Sequence, residues 1–149
     1  MKTLILITCL IFCISCKKEK LEGDSEILIG EWVWVFSYRI TNICTPPTSE
    51  DLLTPINQDV SFSLEFMKQG KIIFIENSVE SSKYLIKDLI FEKNIVSTSS
   101  YPYQFNIVVD NEEYNNIQGF VKEDSLKIIY GFPFEDTQCE DYVNHFVRE

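Results

Sequence analysis

The chain has 149 residues, with 13 basic against 23 acidic side chains and a net charge of −10 at neutral pH. So acidic a protein is repelled by phosphate backbones and anionic lipid heads, and no basic stripe offsets the repulsion, which argues against nucleic-acid binding. The length suits one domain with a single core.

Met1-Lys2 is followed by an almost wholly apolar run from Leu4 to Ser15. That run is too short to cross a bilayer core, which takes about 20 helical residues. A short apolar run behind an N-terminal charge reads as a secretory signal peptide, here residues 1–15. A buried core helix would show a polar face, and this run has none. It ends in Cys13-Ile14-Ser15-Cys16, which resembles the lipobox of bacterial lipoproteins, where a small residue precedes the cysteine that receives lipid. Cys13 stands where that family usually has leucine, and it keeps the position apolar. The resemblance implies that Cys16 opens the mature protein and carries a diacylglyceryl thioether and an N-acyl chain. One chain alone holds marginally, whereas two or three make the attachment effectively permanent. The implied location is the bacterial cell envelope, with the protein anchored to the outer membrane through covalent lipid.

Residues 16–27 then read as a lipidated cysteine and a flexible tether, because "KKEKLEGDSE" (17–26) is charged and offers little to bury. "KKEK" resembles only loosely the charged export signal of surface-displayed lipoproteins, and a plain solvated linker is the stronger reading. Loss of residues 1–15 removes one basic residue, Lys2, and no acidic one, so the net charge becomes −11. Of five cysteines, Cys9 and Cys13 leave with the signal peptide and Cys16 is capped by lipid. Cys44 and Cys139 remain. An even remainder in an oxidising compartment suggests one disulfide; two unrelated buried thiols are the alternative.

From residue 28 onward the pattern is nearly all β. Trp32–Ile40 alternates at period two, and Val60–Met67 puts Val60, Phe62, Leu64 and Phe66 on one face. Lys68-Gln69-Gly70 is a tight turn, from which "KIIFIEN" returns. Ser82–Lys87 is a short strand, and Leu89–Val96 is ambiguous. Tyr103–Val109 and Ile117–Lys122 flank a polar loop, "EDS" turns into Leu126–Gly131, and Tyr142–Arg148 closes the chain. That makes eight strands, or nine if Leu89–Val96 counts. The segment from Thr41 to Asp59 is a long loop with three prolines, which carries function or covers an end.

Many short antiparallel strands suggest a sandwich or an up-and-down barrel. Gly30-Glu31-Trp32 matches the Gly-x-Trp signature of the lipocalins. The chain more closely resembles small lipocalin-like domains of bacterial lipoproteins, through four motifs in order: Leu28-Ile29-Gly30-Glu31-Trp32, Leu64-Glu65-Phe66 with Gly70, Asp124-Ser125-Leu126-Lys127-Ile128, and Phe146-Val147-Arg148. The resemblance spans residues 28–149. It implies an all-β, closed barrel of about eight strands, with Arg148 packed across Trp32. In such a barrel the first and last strands are antiparallel neighbours, and facing residues have numbers of constant sum. Trp32 with Arg148 sums to 180 and Cys44 with Cys139 to 183, nearly one register, with a bulge or loop absorbing the difference.

Chemistry is sparse. His145 is the only histidine and sits within a strand, where a structural role outweighs a catalytic one. Neither a Gly-rich phosphate loop nor Gly-x-Ser-x-Gly is present. Glu135-Asp136, Glu140-Asp141 and Glu112-Glu113 lack calcium-loop spacing and read as solvated acidic turns. Trp32, Trp34, Phe36, Phe62, Phe66, Phe74 and Tyr84 alternate and line the barrel interior, where large rings favour a filled core over a ligand cavity. The expectation is a non-enzymatic binding module without metal or cofactor. It would take a small apolar ligand or, alternatively, act as a protein-interaction or inhibitor subunit of an outer-membrane complex.

Overall fold

The computed structural model describes residues 19–39, 52–94, 100–111, 116–130 and 142–149. A 3-10 helix, Gly23–Leu28, precedes β1 (Gly30–Arg39). Then follow β2 (Leu52–Leu53), a single helical turn α1 (Pro55–Gln58), β3 (Phe62–Met67), β4 (Lys71–Glu76) and β5 (Val79–Lys93). The chain finishes with β6 (Tyr103–Val109), β7 (Asn116–Lys122), β8 (Ser125–Tyr130) and β9 (Tyr142–Arg148). Every neighbouring pair is antiparallel, and β9 returns to β1. Eight strands therefore close an up-and-down barrel, and β2 is an extra strand on β1.

Turn chemistry sets the connections. Asn77 and Ser78 both have positive φ (50° and 65°), the backbone that a two-residue hairpin turn requires. Asn77 Oδ1 accepts from Ser61 N at 2.9 Å, which ties this turn to the start of β3. Glu123 and Asp124 turn β7 into β8, and Lys68 to Gly70 turn β3 into β4. The alternation of up and down strands gives the barrel two unlike ends. The closed end gathers Gly30, the Lys68–Gly70 turn, the Glu123-Asp124 turn and Arg148. The opposite end, called the open end for its position alone, gathers Arg39, the Asn77-Ser78 turn, Val109, Tyr130 and Tyr142.

Leu89–Val96 is not a separate strand. Ser82–Lys87 and most of Leu89–Val96 form one strand, β5, of 15 residues. Its first half pairs with β4 and its second with β6. Strand tilt explains the length, because closing a barrel staggers the register around it. From Trp34 the paired row runs one way through Phe146, Leu126, Val121 and Tyr103 to Lys93. From Trp32 it runs the other way through Leu64 and Phe74 to Ser82. The two rows reach β5 at opposite ends, so β5 must span the stagger. The shift in pairing between Ile86 and Asp88 reverses the alternation there, which splits the pattern in the sequence.

The described part of the Thr41–Asp59 loop is ordered structure. On β1, Val33 pairs with Ser63 and Ser37 with Leu53. β1 advances four residues while its partner line advances ten, and α1 takes up the surplus. Thr54 caps it, with its hydroxyl accepting from Asn57 N and Asn57 Oδ1 accepting from Thr54 N.

The expected tether is also shorter than its composition suggests. Leu21 and Leu28 are fully buried in the core, and the 3-10 helix lies under the closed end. The domain thus includes residues placed in the linker, because Leu21, the leucine among those charges, joins Leu28 in the buried core.

Candidate functional site

Among the described residues, three places bring chemistry-bearing side chains together. The first is the closed end. Trp32 is fully buried and its Nε1 donates to Leu28 O at 2.8 Å. The Arg148 guanidinium lies over the indole, 4.3 Å from the ring centroid. Arg148 Nη1 donates to Ile29 O at 2.7 Å, Nη2 to Ile27 O, and Nε to Glu123 O at 2.9 Å. One side chain thus joins the last strand, the first strand, the 3-10 helix and the β7–β8 turn. Gly30 adopts φ +129°, and a Cβ there would stand 2.9 Å from Arg148 Nη1. The glycine of the Gly-x-Trp motif is therefore needed for both its backbone and the space it leaves. All three signature residues, Gly30, Trp32 and Arg148, meet in this structural clasp.

The second place is the interior. Trp32, Trp34, Phe66, Ile86, Leu126, Ile128 and Phe146 are at most 1% exposed. Phe62 and Phe74 stack 5.2 Å apart beside this core. Toward the open end the core turns polar. Trp34 Nε1 donates to Ser37 Oγ at 2.8 Å, and Ser37 Oγ donates to Asn144 Oδ1 at 2.5 Å. Both Ser37 and Asn144 are buried. Sequence alternation placed Phe36 inside instead. The register between β1 and β9 shifts between Trp34 and Phe36, so Val35 bulges out at 39% exposure, Phe36 faces outward and Ser37 takes the inner position. A bulge leaves no mark in the apolar pattern, so this polar pair was not foreseen.

The third place is the outer wall over β9. His145 pairs with Phe36 across the seam and with Lys127 on β8. Its ring stacks on Phe36 at 4.3 Å between centroids and approaches Tyr38 at 5.6 Å. Burial, helped by the Lys127 ammonium, pushes its pKa down to about 4. A neutral imidazole packed face-on against a ring is a wall element, in keeping with its structural reading. Its Nε2 is buried with no hydrogen-bond partner among the described residues. Elsewhere on the wall an open groove of about 210 Å³ runs over Ile90, Gln104, Asn106, Gln118 and Phe120.

Cys16, Cys44 and Cys139 lie outside the described residues, as do Glu112-Glu113, Glu135-Asp136 and Glu140-Asp141. Among the described residues no group of three His, Cys, Asp or Glu side chains is placed to hold a metal ion. No protein-family model, curated protein or solved structure matches the chain.

Proposed function

We propose that this protein is a lipid-anchored lipoprotein of the bacterial cell envelope whose lipocalin-like barrel is a non-enzymatic binding module. The observation that carries the reading is the clasp at the closed end. The arginine-on-tryptophan contact that the lipocalin resemblance implies is present, with Gly30 making room for it. The apolar run ending at Ser15-Cys16 supports the anchor, and the outer membrane is the membrane that this reading assigns. Metabolic labelling with a fatty acid tests it: wild type should be labelled and Cys16→Ala should not. Equal labelling of both would refute the anchor.

What the module binds divides into two readings. A small apolar ligand inside the barrel needs space, and the large rings of Trp34, Phe66 and Phe146 are buried there. This packing favours recognition of a protein partner by the outer surface. Ile56, Val79 and Ile90 are exposed on separate parts of that surface at 94%, 66% and 49%. Native mass spectrometry of the mature protein released from mild detergent separates the two. A bound molecule of small mass supports the carrier reading, and a bound polypeptide supports the interaction reading.

A further inference from the structure

The chain is locked onto the barrel much closer to Cys16 than its composition implies. Leu21 is fully buried, and its amide donates to Lys68 O at 3.3 Å. Glu19 crosses the β3–β4 turn so closely that a Cβ on Gly70 would stand 1.7 Å from Glu19 O. Gly70 thus serves twice, as the φ +71° residue of the turn and as the notch through which the N-terminal strap passes. Only Lys17 and Lys18 separate Cys16 from Glu19. Three peptide units reach at most about 11 Å.

We propose that the closed end of the barrel is a membrane-facing surface, held against lipid headgroups by this short tether. The inference rests on the reading of Cys16 as the lipidated residue. The barrel wall, most of whose strands have six or seven residues, stands roughly 15–20 Å tall at the usual tilt. With the open end down, Glu19 would sit farther from the bilayer than the tether can reach. With the closed end down, the reach is sufficient and the Asn77-Ser78 end points away from the membrane. Electrostatics does not create this contact. The closed end presents Lys20, Lys68, Lys71, Lys93 and Lys122 among a larger number of carboxylates, and Lys68 is already engaged by Glu26 at 2.9 Å. Such a surface has no attraction for anionic headgroups, so the covalent lipid enforces the apposition.

The test uses the lipidated protein in vesicles of phosphatidylethanolamine and phosphatidylglycerol that contain a headgroup-labelled quencher. A genetically encoded fluorescent amino acid replaces either Glu123 at the closed end or Val79 at the open end, both exposed. Quenching at position 123 should exceed that at position 79 several-fold. A flexible Gly-Ser insertion of about 12 residues between Lys18 and Glu19 should abolish most of the difference. Equal quenching at the two positions, or a difference untouched by the insertion, overturns the proposal. Flotation separates this from failure of the anchor. If wild type floats with vesicles, Cys16→Ser does not, and quenching is equal, only the orientation fails. If wild type does not float, the anchor reading and the orientation fall together. If Cys16→Ser floats as well as wild type, the surface binds lipid by itself and the tether argument is wrong.

Discussion

Arg148 rests on the Trp32 indole at 4.3 Å while it donates to three carbonyls, those of Ile27, Ile29 and Glu123. The seam between first and last strands is therefore closed at its base by one cation. Trp32→Ala should cost about 3–5 kcal/mol, the usual range for a large buried ring. Arg148→Ala should cost less, because the cation–π term is about 0.5–2 kcal/mol and its charge-assisted hydrogen bonds add modestly. The double mutant should lose less than the two single losses combined, since they share a contact. Urea unfolding of the four proteins measures the coupling, and strict additivity would show that the contact contributes nothing.

Ser37 offers a second test. Its hydroxyl both accepts from Trp34 and donates to Asn144 inside the barrel. Ser37→Ala should remove the hydroxyl that links the Trp34 indole N–H to Asn144 and destabilise by about 1–3 kcal/mol. Thermal unfolding should show the loss while the fold persists by circular dichroism. An unchanged melting temperature would mean that the hydroxyl is dispensable.

His145 should make stability depend on pH. Its pKa in the folded protein is about 4 against 6.5 for the free side chain. Between these values the unfolded chain binds a proton that the folded chain refuses. Stability is therefore full above about pH 6.5 and declines as pH falls toward 4. Carboxylates also titrate at the lower edge, so the comparison is between wild type and His145→Gln over the same range. The variant should show the shallower decline, and parallel curves would remove His145 from the account.

Gly70→Ala should displace the strap without unfolding the barrel, because the clash is with Glu19 backbone. Amide hydrogen exchange at Leu21 should accelerate markedly, while exchange in β6 and β7 stays slow. Unaltered protection at Leu21 would mean that the strap can shift aside at no cost.

Cys44 and Cys139 should form a disulfide in exported protein. The last described pair of the seam is Arg39 with Tyr142, and its register already carries the bulge at Val35. The segments containing the two cysteines join strands at the same, open end. Non-reducing peptide mapping should recover one linked pair, and two freely alkylated thiols would refute it.

Alternation and turn residues in the sequence determined that the chain is all β with tightly connected antiparallel strands, whereas the meeting of the first strand with the last was implied by the lipocalin resemblance. Trp32 opposite Arg148 followed from short motifs because that contact is local to two strand ends. What the pattern could not convey was anything set by closure. The stagger of a tilted barrel merged two apparent strands into β5, and no residue type signals it. The bulge at Val35 exchanged Phe36 for Ser37 in the core, because a single extra residue reverses every side chain after it. Leu21 looked like part of a solvated linker, since one leucine among charges makes no periodic pattern. Only when the eight strands closed did an apolar end appear for it to cover. Burial of that end, a property of the assembled barrel and not of the segment, decided where the domain begins.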